Sequence, residues 1–262
     1  MNARGFTLVE LVIAIAIASI VMVFSILFMR APIDAYEAHS RRTDLVNNAA
    51  SAWPRMEADL RNALPNSVRA RRNGNVVVLE MLPVLGVARY KTSPSTVPIT
   101  TAGVYAGVTP AFLSVNTLNG NAYALAGSMA AATNFTNPAG AVTGEQQIGV
   151  NPAPAFTSDS PRRNLYFVAR PVTWLCDEGL GTLQRYSGYN IAALQTARDT
   201  AGELTGAGAA VEPVARGLTS CVFDVTPPGS TTQSQTAAVH LTATRNGDSV
   251  TLLHSVRSEY VP

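Results

Sequence analysis

From Leu11 to Met29 the chain runs for 19 residues without a charge, and only Ser19 and Ser25 within it are polar. As a helix rising about 1.5 Å per residue, the stretch covers close to the roughly 30 Å hydrocarbon core of a bilayer. Such a surface has to lie in lipid or against other protein. A signal peptide or a plain signal anchor also contains an apolar run. A signal peptide, however, places small residues after the run, whereas this one ends on Phe28, Met29 and Arg30. Removal after the run is disfavoured.

The remainder is long enough, at 262 residues in all, to bury a core of its own. Lys and Arg number 19 against 17 Asp and Glu, a net charge of +2, so no broad field exists to gather nucleic acid or acidic substrates. Two cysteines rule out a cysteine-rich scaffold and a four-thiolate zinc site, leaving one disulfide, a free pair or a redox pair. Catalysis has no visible seat: there are three histidines, His39, His240 and His254, and no nucleophile elbow, zinc-protease motif or phosphate-binding loop. His254 reads as a core or edge histidine. Arg69, Arg71 and Arg72 read as a solvated face, with anion contact as the competing possibility.

Ahead of the apolar run stands Met1-Asn2-Ala3-Arg4-Gly5, followed by Phe6-Thr7-Leu8-Val9-Glu10. This resembles the leader of type IV prepilins and type II secretion pseudopilins, in which a short basic leader ends in Gly before Phe-Thr-Leu-x-Glu. The resemblance implies cleavage between Gly5 and Phe6 by a prepilin peptidase and N-methylation of the new Phe6 amine. Arg4 then reads as the inside-facing positive charge that orients the precursor. Glu10 needs a compensating partner, because a carboxylate costs on the order of 2 to 3.5 kcal/mol near a bilayer centre and less near its interface. In the pilin reading that partner is the Phe6 amine of a neighbouring subunit; otherwise Glu10 lies at headgroup level, favoured by the helix dipole.

Leu45, Ala49, Trp53, Met56, Leu60 and Leu64 recur at spacings of three and four, which predicts an amphipathic continuation of the helix ending near Asn66. Pro32 and Pro54 each remove a donor and predict bends. Ser67 to Leu82 reads as a hairpin turning at Asn73-Gly74. Residues 91–161, rich in Ala, Thr, Gly, Asn and Pro without a sustained period, read as an irregular, loop-rich insertion. Strands are predicted over Leu165–Arg170, Val172–Cys176, Leu183–Tyr189, Leu218–Val225, Ala237–Thr244 and Ser249–Val261. Within them Cys221, Phe223 and Val225 share one face, as do Val239, Leu241 and Ala243, with the stem helix as the apolar partner.

Three further stretches, Ser40 to Val46, Asp59 to Ser67, and Cys176-Asp177 with Leu183 to Tyr186, look like the O-type minor pilins of the mannose-sensitive haemagglutinin (MSHA) pilus. The J-type minor pseudopilins of type II secretion share the leader and overall size. The resemblance makes a Cys176–Cys221 disulfide plausible, since minor pilins often staple their C-terminal sheet; two reduced, buried thiols are the alternative. It implies an α+β, type IV pilin-like fold: leader 1–5, membrane and filament-core helix 6–30, amphipathic continuation 31–65, and a globular sheet domain 66–262. It implies a non-enzymatic assembly role, priming or capping a filament. The partners would be major and minor pilins through the N-terminal helix, the prepilin peptidase, the inner-membrane assembly platform and, before assembly, membrane lipid. Neither a cofactor, a metal nor nucleic acid is expected. The globular domain would lie in the periplasm until the subunit enters a pilus or pseudopilus.

Overall fold

The structure is a computed structural model that describes residues 7–102, 109–115, 117, 122–136, 145–157, 159–226 and 235–258. Helix α1 spans Leu8–Ala50 and runs unbroken through Pro32. A two-residue break at Ser51 and Ala52 precedes helix α2, Trp53–Arg61, with Pro54 in its first turn, where a missing N–H costs no helical bond. The stem is therefore interrupted next to Pro54 and not at Pro32. It also ends earlier than the apolar spacing predicts, at Arg61, because Leu64 leaves the helix to donate its N–H to the carbonyl of Leu82 (2.7 Å).

The sheet domain is three sheets. Strands β1 (Arg69–Asn73) and β2 (Val76–Met81) form the expected hairpin, with Gly74-Asn75 as its loop, one position later than predicted. Gly74 takes φ +58, a conformation that costs glycine nothing. The chain then makes β3 (Val84–Tyr90), β4 (Ile99–Ala102), β5 (Phe112–Val115), β6 (Met129–Ala131), β7 (Glu145–Ile148) and β8 (Asn164–Val168). It returns through β9 (Val172–Asp177) and β10 (Thr182–Ser187), a short helix α3 (Ala201–Gly206) and β11 (Ala210–Arg216). It finishes with β12 (Leu218–Val225), β13 (Gln235–Arg245) and β14 (Asp248–Ser258). The sheet orders are β1-β2-β9-β10-β11, β12-β13-β14 and β6-β5-β8-β3-β4-β7, all antiparallel.

The third sheet corrects the reading of 91–161 as irregular: four of its strands lie there. It begins at β3, ahead of residue 91, and closes on itself. Beyond β6, Thr136 exchanges backbone hydrogen bonds with Gly149 (2.8 and 3.0 Å), and Asn151 donates to Thr133 (3.0 Å), so the continuations of the two outer strands meet. The result is a small barrel filled by Ile99, Leu113, Val115, Ile148, Leu165 and Phe167. Strands of three or four residues are too short to show a period, and closure removes the exposed edges that would otherwise call for longer, guarded strands. Because β2 pairs directly with β9, the barrel is an insertion between two neighbours in the first sheet.

The remaining two sheets wrap the stem. Met56, Leu60, Leu79, Trp174, Cys221 and Leu241 belong to one apolar core, and Leu45 and Ala49 extend it to the end of α1, as the stem spacing predicts. Removing such a stripe from water is worth about 25 cal/mol per Å².

Candidate functional site: the N-terminal helix and its anchorage

Wherever side chains are described, Leu8 to Glu37 is exposed, a free length of about 45 Å. Its outer surface is Leu, Ile, Val, Phe and Met, with Phe28 86% exposed, and none of the apolar stretch is covered by the rest of the chain. The helix is long and apolar enough to cross a membrane. Ser19 and Ser25 return their hydroxyls to the carbonyls of Ile15 and Val21, so the polar atoms in this stretch are satisfied within the helix.

Of the predicted processing and assembly residues, Gly5 and Phe6 lie outside the described residues, and Glu10 is the third helical residue. Thr7 caps the helix: its hydroxyl oxygen accepts from the Glu10 N–H (3.3 Å), while Glu10 Oε2 accepts from the Thr7 N–H (3.1 Å) and hydroxyl (2.9 Å). This reciprocal box satisfies orphan donors at the helix start and fixes the carboxylate there. The role of Thr7 is absent from the sequence-based expectations, although Thr7-Leu8-Val9-Glu10 has the Thr-x-x-Glu spacing that signals it. Among the described residues both bonds to the carboxylate fall on Oε2, leaving Oε1 as an acceptor with no described donor.

The far half of the stem is fastened in a fixed order. Arg41 and Arg42 pair with Asp248 at the start of β14 (3.6 and 3.0 Å). Asn48 bonds the Arg216 carbonyl, Arg55 pairs with Glu212, and Trp53 stacks on His254 at 4.0 Å between ring centroids. Asp59 accepts from Trp174 Nε1 (3.0 Å) and twice from Arg185 (2.7 and 3.0 Å). Asn62 then accepts from Val84, the first barrel residue (2.8 Å). The barrel consequently sits at the end of the stem opposite the apolar segment.

Arg71 and Arg72 stand on an exposed face, as the sequence predicts, and Arg69 is partly buried, but all three are held by carboxylates of the chain itself. Arg69 pairs with the fully buried Glu80 (2.7 Å), Arg71 with Asp199 (2.6 Å) and Arg72 with Glu178 (2.6 Å). Burial raises the Glu80 carboxyl above its usual range, against the pull of Arg69 and a hydrogen bond from Tyr189. Arg69 also lies over the Tyr123 ring at 3.4 Å, tying the first sheet to the barrel. Glu178, held by hydrogen bonds from Arg72 and the Cys221 N–H, is lowered to about 2. Cys176 and Cys221 are joined by a disulfide, with Cα atoms 6.4 Å apart. Together with Glu178 it crosses the seam between the first and second sheets. Gln235 crosses the same seam by bonding both the N–H and the carbonyl of Val68 (3.0 and 3.1 Å). Among the described residues no group of acids, histidines and cysteines could hold a metal ion.

Residues 1–26 match the family model described as the Prokaryotic N-terminal methylation motif, which covers about a tenth of the chain. No curated protein and no solved structure matches. The chain therefore carries a prepilin-type N-terminal segment, whose apolar helix stands exposed and continues into a half that packs on antiparallel sheets, an arrangement like that of type IV pilins and pseudopilins.

Proposed function

We propose that the chain is a minor pilin of a type IV pilus of the MSHA kind, made as a membrane-anchored precursor and recruited into a filament through its N-terminal helix. The observation behind this reading is the bare apolar length of α1, most of which lies within the matched methylation motif. Such a surface exchanges lipid for neighbouring helices without a change of fold, because tails and side chains are equally apolar. Cleavage between Gly5 and Phe6 supplies the ammonium group, and Glu10 of an adjoining subunit accepts it. In a low-dielectric bundle this pair favours one helix register over its neighbours. The globular domain stands in the periplasm before assembly, with Cys176–Cys221 formed in that oxidising compartment.

A barrel at the end of the stem opposite the membrane segment adds bulk where a following subunit would stack, which supports a priming or capping position over a repeating one. Regular spacing of this subunit along purified pili would overturn that position. Replacing Gly5 with a bulky residue is expected to leave an uncleaved precursor in the membrane. Glu10→Ala should be cleaved yet enter filaments poorly. The readouts are the mass of the mature chain and its fraction in sheared filaments; normal incorporation of Glu10→Ala would remove the charge-pair mechanism. Service in a type II secretion pseudopilus as a J-type subunit is the competing reading. Loss of exported substrates with pili intact in a deletion strain would select it.

A further inference from the structure

The barrel from Val84 to Val168 contains six charged residues in 85: Arg89, Lys91, Glu145, Asp159, Arg162 and Arg163. All six gather at one end. Arg89 stands opposite Asn164 on β8 and Ala102 on β4, and Ala102 stands opposite Glu145 on β7. Arg163 donates to the Lys91 carbonyl (3.2 Å), and the Tyr90 hydroxyl lies 3.4 Å from Asp159. This is the end away from the stem, because Val84, at the opposite end of β3, is the residue bonded to Asn62. Lys91 is neutralised by Glu145. Arg89, Arg162 and Arg163 are exposed and form no ion pair among the described residues, and the undescribed stretches of the barrel contain no Asp or Glu to neutralise them. A module with few charges that keeps all of them at one tip, with an excess of two cations, presents a local field the net charge of the chain conceals.

We propose that this tip is a docking surface for an anionic polysaccharide bearing carboxylate or sulfate groups. Guanidinium forks match such groups in pairs of hydrogen bonds. Exposed hydroxyls of Thr92, Ser93 and Thr96 on the adjoining loop supply the neutral contacts a sugar ring uses. Duplex nucleic acid fits less well, since strong binding there rests on roughly six to ten phosphate contacts. Among the described residues the aromatic ring nearest these charges, Tyr90, is buried under the tip and offers no face for base stacking. An anionic bilayer calls for a broader cationic face than three arginines.

The test uses the full-length protein in detergent micelles with beads bearing alginate, a polyuronate, or neutral dextran. Retention on alginate alone, released by salt, is expected. The triple variant Arg89→Gln, Arg162→Gln, Arg163→Gln should bind about ten-fold more weakly, whereas Arg245→Gln, an exposed arginine at the opposite end, should match the parent. Glu145→Gln frees Lys91 and should tighten retention. Thermal melts and the intact disulfide report that each variant is folded. Unchanged retention of the triple variant would overturn the proposal. So would arginine-dependent binding to duplex DNA or phosphatidylglycerol vesicles equal to or tighter than to alginate.

Discussion

Single charged residues in this molecule matter chiefly where they replace missing backbone bonds. Glu178 is the clearest case, accepting from Arg72 on β1 and from the Cys221 N–H and Ser220 hydroxyl on β12, across a seam that has no strand ladder. Its carboxyl falls from the ordinary 4.5 to about 2 in the folded chain, so the folded state binds that proton less tightly than the unfolded one. The stabilisation is complete above about pH 4.5 and is lost as the pH falls toward 2. Glu178→Gln should therefore lower the urea midpoint at neutral pH and flatten its decline through the acid range. Parallel curves for the two proteins would show that Glu178 does not set this dependence. None of this is legible from the sequence, where Arg72 and Glu178 lie far apart and belong to segments with no shared pattern.

Among the elements, α2 is decisive because it is short. Nine residues form a marginal helix on their own, so its place depends on tertiary contacts. Met56 and Leu60 supply the apolar contact, and Asp59 supplies the directional one by accepting from Trp174 and Arg185. Asp59→Ala would strand a buried indole N–H and a largely buried guanidinium, at a cost of about 3 kcal/mol. Asp59→Asn, which keeps an acceptor, should lose roughly half as much. Urea unfolding measures both, and near-identical midpoints for parent and Ala variant would show that apolar packing alone fixes the helix. The disulfide acts at the same scale: closing a 45-residue separation is worth about 4 kcal/mol in the chain-entropy account.

At the scale of the whole molecule, the insertion is separable in principle. Chain enters and leaves the barrel at paired residues, Val84 opposite Val168, and the strands on either side of it already pair with each other. Replacing residues 83–169 with a short glycine-containing turn should leave the stem, the two wrapped sheets and the Cys176–Cys221 bond in place. The cost is the packing of Leu64 and Leu82 and the Tyr123 contact of Arg69. A cooperative melt at lower temperature with the disulfide intact is the expected result; loss of the disulfide or of cooperativity would mean that the barrel is needed to complete the core.

The membrane-length helix, its start at the Thr7–Glu10 box and the buried stripe from Leu45 to Leu60 are local properties. A run of apolar residues, a Thr-x-x-Glu spacing and a 3.6-residue period act on neighbours in the chain, so the sequence alone determines them. The strand Leu218–Val225 and its inward face follow from a period of two in the same way. The barrel, the placement of its charges at one tip, the seam spanned by Glu178 and Gln235, and the pairing of the hairpin arginines were settled only by the tertiary structure. They depend on which distant segments meet. That choice is made by burial and loop closure over the entire fold, and no window of consecutive residues contains it.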